Sequence, residues 1–423
     1  MTHDKRILKN EEQIEALKKT VPDWIRNLKR PLTPALSPPF GPLEGIRAVG
    51  TGVFVAQPYI GTKLAEFGAE VIHVERPGGE TFRRVAPHLT RGLRPHGCDT
   101  AEINKNKLSM GLDLKRARGV ELLMALWKIS DVWMESSMPG TCERTGLPSE
   151  LAPAVNPSLV IVKVSTYGQF GKQEHLERAG YDAIAQAYGG MMHVTATYGH
   201  TGNRSSECQP YDTFKCSDGW VFIAAIGGAI YARMPRFLGL DPNIYSFEAC
   251  SKDPAAVNSE RGRELDRRLR EYCAARTCLE VETELNKAQI GCSRVFSAED
   301  QYADEHYAAR EMTVPVLDRQ SGVPIRVYGV APKLSLTPGR IWRGSPSVGE
   351  DTNEVLAKLL HFSESDIARL YEDQIVHRTE PITTPQVPAV HPQPCRTVAG
   401  PPSVHAPSRR RLRILLPGQP KIS

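Results

Sequence analysis

The stretch Gly45–Glu80, GIRAVGTGVFVAQPYIGTKLAEFGAEVIHVERPGGE, reads as strand, turn, helix, strand and Gly-rich loop, which is a complete βαβ unit. The apolar run Ile46–Val49 predicts the first strand. Leu64, Phe67 and Gly68 fall at the i, i+3, i+4 spacing of one helix face, and Gly68 is placed to end that helix. The second strand, Val71–Val74, is apolar on both faces, as a parallel strand between two helix layers must be. A helical crossover makes the pair parallel and right-handed, and ligands of such sheets bind beyond the strands' carboxyl ends. Here that edge carries Gly50–Gln57 and Glu75–Gly79.

The same rhythm continues down the chain. Strand Leu108–Leu112, helix Ala117–Ile129, strand Asp131–Glu135, a helix around Thr141–Ala154 and strand Leu159–Ser165 alternate at βαβ spacing. The expected fold class is α/β, a doubly wound parallel sheet. A polar, turn-rich stretch at His200–Cys208 marks a change of character. Beyond it, Thr213–Ile226 turns at Ser217-Asp218-Gly219 and Val314–Tyr328 turns at Gln320-Ser321-Gly322. These read as antiparallel hairpins, with helices at Arg263–Ala275 and Cys278–Ala288 between them. The organisation that follows is a charged helix and Pro-rich linker over 1–40, expected to dock loosely or to act as a dimer arm. A large α/β domain spans 41–204 and a smaller α+β domain 205–335. A C-terminal segment, 336–377, returns to the large domain, and a tail covers 378–423. With ten prolines and Arg409-Arg410-Arg411, the tail cannot build a core and is expected to be disordered.

Charge and composition narrow the function. The formal net charge is +5, but the tail carries seven Lys/Arg against the single Glu380, so the body is close to neutral and nucleic-acid binding is not expected. The nine cysteines form no C-x-x-C pair and no Cys/His metal spacing, so no metal site or disulfide framework is indicated, and Cys216 and Cys292 read as buried thiols. A charged N-terminus without an apolar leader, and no apolar run long enough to span a bilayer, lead to the expectation of a cytoplasmic protein off the membrane.

Three kinds of site are candidates. Gly50-Thr51-Gly52 after a strand, with Glu75 ending the next, resembles the start of a dinucleotide fingerprint. Position 55, however, is Val where G-x-G-x-x-G needs its third glycine. A basic set, Arg76, Lys105, Lys107, Lys115 and Arg144, lies beside strand ends, where a polyanion with separated phosphates needs fixed cations; taken alone, such charges are more often solvated surface residues. No G-x-S-x-G, H-E-x-x-H or P-loop occurs. Asp182, at a helix start flanked by glycines, reads first as an acid favoured by the helix dipole.

Several motifs together resemble class III CoA-transferases, the family of formyl-CoA transferase and the carnitine CoA-transferases. They are GPLEGIRAV, LAEFGAEVIHVERPGG, NKNKLSMGLDLK, DVWMESSMPGTCERTGL, NPSLVIVKVSTYGQFG, AGYDAIAQAYGG, FKCSDGWVFIA, IGCSRVFSAED and PGRIWRGSPSVGEDTNEVL, and the last is nearest the carnitine branch. The resemblance covers most of residues 41–376. It implies an interlocked homodimer, or a heterodimer with a related subunit, acting on an acyl-CoA and a small carboxylate, with coenzyme A as substrate and no permanent cofactor. It also implies an aspartate that attacks the thioester and then carries CoA as an aspartyl thioester. By position, Arg76, Lys115 and Arg144 match CoA-contacting residues, Leu112 lies beside the adenine, and Asp182 matches a position next to the reacting centre.

The departures matter as much. Tyr198–Arg204 runs almost directly into Gln209–Lys215, so several dozen residues are absent relative to the family pattern, the nucleophilic aspartate among them. Asp212 belongs to the entry of the small domain and takes no catalytic role. Met138 stands where the carnitine branch has a CoA-contacting lysine, and Gln57 where the family loop commonly has glycine. The expectation is a CoA-transferase of doubtful turnover. The alternatives are an inactive CoA-binding subunit that pairs with a complete transferase and a defective gene product; a nicotinamide enzyme stands last because of Val55.

Overall fold

The computed structural model describes residues 3–85, 88–89, 96–148, 150–167, 169, 182–188, 205, 208–225 and 228–379. The chain divides into units 1–382 and 383–423, and the second lies outside the described residues, as does the junction at 198–204. Helices α1 (His3–Lys18) and α2 (Asp23–Arg26) precede β1 (Arg47–Gly50). Helix α3 (Ala56–Glu66) crosses to β2 (Glu70–Glu75), which pairs with β1 in parallel, Ala48 opposite Val71. A short ribbon of β3 (His88–Leu89) and β4 (His96–Gly97), then α4 (Cys98–Ile103), lead to β5 (Leu108–Leu112). Helix α5 (Ala117–Lys128) leads to β6 (Val132–Glu135), and α6 (Thr141–Arg144) with α7 (Leu151–Val155) leads to β7 (Val160–Lys163).

The smaller α+β part begins with the antiparallel hairpin β8 (Tyr211–Lys215) and β9 (Trp220–Ala224), extended by β10 (Gly291–Arg294) to three strands. Helices Glu260–Ala274 and Cys278–Lys287 contribute Leu269, Cys273, Val281 and Leu285 to its core, against Phe214, Val221 and Ile223 of the sheet. The helix from Cys278 starts at a capping box of Thr277 and Glu280, which satisfies two orphan N–H groups reciprocally. A separate hairpin, β11 (Thr313–Leu317) with β12 (Pro324–Tyr328), precedes the return to the large sheet. There β13 (Val376–His377) pairs antiparallel with β5, and Val355, Leu356, Leu359, Ile367 and Leu370 join the main core.

The large sheet has the order β13-β5-β2-β1-β6-β7, with every pair parallel except β13 with β5. This is the α/β class expected of the sequence. β1, β2 and β5 are buried along their whole length, as the apolar runs require. β7 is different. It is the outer strand on its side among the described residues, and its Val160 is 57% exposed.

Three local expectations are corrected. The N-terminal segment does not dock loosely. Ile25 is fully buried, Trp24 meets Phe362 edge to face at 5.7 Å, and Arg30 holds Asp131 through two bonds of 2.6 Å. Beneath it the buried Arg47 donates Nε to Glu70 at 2.7 Å, and the other Glu70 oxygen accepts the backbone N–H groups of Ala35, Leu36 and Ser37. The linker is thus the source of donors that a buried carboxylate requires. The face α3 turns most fully inward is Gln57, Pro58, Gly61, Thr62, Ala65 and Glu66, the last paired by Lys63 and Lys105, while Leu64 packs half-buried against the cluster of Ala48, Ala65 and Val71. The helix expected around Thr141–Ala154 is two short ones, parted at Gly146, whose φ of 82° suits glycine, and at Pro148.

Candidate active site at the carboxyl edge of the sheet

The loop after β1 is held at every N–H from Thr51 to Phe54. Thr51 N–H donates to Met134 O at 2.9 Å, Gly52 to Gln57 Oε1 at 2.8 Å, Val53 to Ser136 Oγ at 3.2 Å, and Phe54 to Glu80 Oε2 at 2.9 Å. Gln57 is buried, and its amide fills the space that a side chain at Gly50 or Gly52 would need. A pyrophosphate cradle requires N–H groups turned to the ligand, and here each is consumed by the protein. This agrees with the reading that Val55 ends the dinucleotide fingerprint. Phe54 sits at φ 62° and packs on Phe82 at 5.9 Å between ring centroids, a conformation that costs a non-glycine residue about 1 kcal/mol and is pinned by Glu80.

Under the loop lies a buried polar network. Glu75 accepts Arg83 Nε at 2.7 Å and Nη2 at 2.8 Å, Ser109 Oγ at 2.8 Å and the N–H of Glu80 at 3.3 Å. Burial works to raise the Glu75 pKa, but Arg83 outweighs it and holds the carboxyl down at about 2. Burial likewise opposes ionisation of Glu80, and His73, 3.8 Å from Oε1, prevails in keeping it below the usual carboxylate range. His73, Glu75 and Glu80 place three potential metal ligands within 4.8 Å of one another. Both Glu75 oxygens already accept two donors each, and Arg83 balances its charge, so the chemistry of this group is that of a buried ion pair. Arg83 also reaches Pro346 O at 3.0 Å, and Gly349 N–H donates to Ser109 Oγ at 2.9 Å, which ties the C-terminal segment to the ends of β2 and β5.

The site residues from the sequence analysis share this edge unequally. Arg76 directly follows β2, is exposed, and donates to Gly79 O at 3.2 Å and Thr81 Oγ1 at 2.7 Å. Lys115 lies just beyond β5, the strand beside β2, and among the described residues its ammonium has no ion-pair partner. Arg144 ends α6 after β6, exposed, with Thr141 Oγ1 at 3.0 Å. Arg76 and Lys115 therefore leave adjacent strands, while Arg144 stands on the far side of β1. The Leu112 side chain is buried in the main core opposite Val376, so only its backbone reaches the edge. Asp182 is an exposed residue opening a helix at 182–188, with Gln186 donating to it at 2.6 Å; the flanking residues 170–181 and 189–204 are outside the described set.

Lys105 and Lys107 are corrected. Both are fully buried, Lys105 against Glu66 and Glu102, and Lys107 donating to Pro58 O at 2.6 Å, Ile103 O at 2.8 Å and Asn104 Oδ1 at 2.8 Å. Burial pushes the Lys107 pKa down to about 7. Neither side chain can reach a phosphate. Asp212 is paired with Arg270 at 2.6 Å in the smaller sheet; Cys216 is buried as expected, whereas Cys292 is only half-buried. Sequence reasoning missed Glu80 and Ser136 as loop anchors. Each is a small or acidic polar residue shortly after a β-strand, a signal visible only once β1, β2 and β6 are known to be neighbours.

The carboxyl edge of the parallel strands, where ligands of such sheets bind, thus carries three exposed cations beside a loop whose N–H groups are closed on the protein itself. The profile of CoA-transferase family III matches residues 43–201 and 196–352, and the chain belongs to that family. It is 30% identical over 402 aligned positions to the bile acid CoA-transferase BaiK of Clostridium scindens, across 78% of this chain and 88% of that one. It is 27% identical over 409 positions to the succinyl-CoA–D-citramalate CoA-transferase of Chloroflexus aurantiacus, across 79% and 98%. Among solved structures, a CAIB/BAIF family protein from Brucella suis superposes with a TM-score of 0.61 at 21% identity, across 75% of this chain and 99% of that one.

Proposed function

We propose that this chain binds acyl-CoA at the carboxyl edge of its large sheet and serves transfer of CoA from an acyl-CoA donor to a small carboxylate. The observation that carries the reading is the row of exposed cations on that edge in a family III chain: Arg76, Lys115 and Arg144 after β2, β5 and β6. These are the phosphate contacts, with the adenine against the backbone near Leu112 and Asp182 beside the reacting thioester. In the family mechanism an aspartate carboxylate attacks the thioester carbonyl and expels CoA thiolate, leaving a mixed anhydride. The thiolate attacks the aspartyl carbonyl, which frees the donor carboxylate and forms an aspartyl-CoA thioester. The acceptor carboxylate then attacks that thioester, and the returning thiolate completes the new acyl-CoA. The likeness of PGRIWRGSPSVGEDTNEVL to the carnitine branch makes a carnitine-type acceptor one candidate.

A second reading is favoured by specific observations: a CoA-binding subunit that lacks its own nucleophile and pairs with a complete transferase. The 402 positions aligned to BaiK draw on 78% of 423 residues, about 330, which leaves about 70 positions without a counterpart here. The two profile matches overlap at 196–201, and Val160 on β7, the outer strand on its side among the described residues, is 57% exposed.

Incubation of the purified protein with acyl-CoA, followed by hydroxylamine and peptide mass spectrometry, decides between them. An aspartyl hydroxamate on any peptide supports turnover by this chain. Calorimetric CoA binding without adduct or exchange supports the binding subunit. Absence of CoA binding refutes both.

A further inference from the structure

The loop after β1 offers a ligand no N–H from Thr51 to Phe54, since all four donate within the protein. What it exposes is apolar. Val53 is 45% and Val55 44% exposed, and Tyr59, whose N–H bonds Val55 O, stands in the next turn of α3, likewise exposed. The Val53–Ser136 bond draws the loop after β6 alongside, and two residues beyond Ser136 is the exposed Met138. Charge at this rim is negative and buried: Glu80 lies directly beneath Phe54, held ionised. The cations around it are engaged, Arg83 with Glu75, Lys107 with three oxygens and Lys63 with Glu66.

From this arrangement we infer that the rim of Val53, Val55, Tyr59 and Met138 receives the acyl group of the thioester and selects an uncharged, apolar acyl chain over one ending in a second carboxylate. The inference rests on the acyl-CoA reading of the site and deepens it. A dicarboxylic acyl group would forfeit the hydration of its free carboxylate for a surface of methyl and aromatic groups, beside cations already committed: Lys63, 5.0 Å over the Tyr59 ring, holds Glu66, and Arg144 is given to a phosphate in the proposed site. An aliphatic chain instead buries those groups, at a gain of several-fold per methylene removed from water. Gln57 has a supporting part: by consuming the Gly52 N–H and filling the space below Gly50 and Gly52, it closes the polar alternative.

The experiment is calorimetric titration of the full chain with CoA, succinyl-CoA, octanoyl-CoA and octanoyl-pantetheine, which lacks the nucleotide. The expected result is octanoyl-CoA bound at least about tenfold more tightly than CoA, with succinyl-CoA no tighter than CoA. Val53→Asp and Val55→Asp, both exposed positions, are expected to abolish the octanoyl advantage over CoA while leaving the thermal midpoint in place. Equal binding of all three thioesters and CoA, or a preference for succinyl-CoA, overturns the inference and leaves the CoA site standing. Binding of octanoyl-pantetheine without binding of CoA upholds the apolar rim and overturns the CoA contacts. An octanoyl advantage that survives both substitutions places the chain elsewhere and overturns the inference.

Discussion

Replacement of Glu70 by Ala tests how the N-terminal segment is held. In the native fold Glu70 and Arg47 are both fully buried, with Arg47 Nε 2.7 Å from one Glu70 oxygen. The other oxygen accepts N–H groups from Ala35 at 2.7 Å, Leu36 at 2.5 Å and Ser37 at 3.2 Å. Arg47 would keep its bonds to Ile129 O and Leu32 O, both at 3.2 Å, but these are dipoles, and burial already depresses its pKa against the opposing pull of Glu70. Breaking a buried pair from one side costs about 3–5 kcal/mol, because a charge is left unbalanced away from water. Three N–H groups lose their acceptor as well, and entry of water into the gap recovers part of that. The expected loss is therefore about 4 kcal/mol, read as a shift in the urea midpoint by tryptophan fluorescence. Trp24, Trp127 and Trp133 all report on the large domain. Limited proteolysis should also gain a cut within 27–44. The double replacement Arg47→Met/Glu70→Leu should cost less than Glu70→Ala alone, since it removes the charge that the single change strands. A loss below about 1 kcal/mol, with the linker still protected, would refute the claim that this carboxylate anchors the segment.

Two further outcomes follow from the edge of the sheet. The Glu75 pKa is depressed to about 2 in the fold against 4.5 ordinarily, so its contribution is present above about pH 4.5 and is lost as pH falls toward 2. Glu75→Gln should accordingly unfold more easily than the native chain at neutral pH by about 3 kcal/mol and match it near pH 2, and parallel stability curves from pH 5 to 2 would contradict this. Arg144→Ala should weaken CoA binding by about 1–3 kcal/mol, less so at high salt, and an unchanged calorimetric affinity would remove Arg144 from the site.

The parts of this fold legible in the sequence are those governed by local period. β5 was expected at Leu108–Leu112 and lies there, and helix α5 differs from its expected span by one residue, because a long amphipathic run has only one way to bury its face. What local pattern could not supply was the partner of each buried charge. Lys105 and Lys107 looked like surface cations because their spacing says nothing of Glu66, Glu102 or the carbonyls of Pro58 and Ile103 folded over them. The N-terminal segment reads as separable for the same reason: the partners of Trp24, Arg30 and the linker N–H groups are Phe362, Asp131 and Glu70, which no pattern within 1–40 encodes. At the site, Arg76, Lys115 and Arg144 were legible as cations near strand ends, whereas the closure of the loop by Gln57, Ser136 and Glu80 needed the order of the strands.

In the proposed site, binding and turnover rest on different stretches of the chain and can part company. The cations proposed for CoA stand on loops after β2, β5 and β6. β2 and β5 are buried throughout, β6 over Trp133–Glu135, and the C-terminal segment is bound to the ends of β2 and β5 through Arg83 and Ser109. The proposed CoA half of the site is thus carried by buried strands and braced by the C-terminal segment. The alignment to BaiK leaves about 70 positions without a counterpart in this chain, and in the proposed binding-subunit reading the nucleophile is among them. Val160 on β7 is left 57% exposed on an outer strand, the kind of surface another chain can cover. A carboxylate brought by such a chain would complete the chemistry without altering one contact to CoA. For that reason the hydroxylamine experiment should be run twice, with this chain alone and mixed with a complete family III transferase whose own aspartate is labelled. An adduct confined to the labelled aspartate, with exchange faster than either chain alone supports, is the outcome expected of a binding subunit. An adduct on this chain in isolation excludes it.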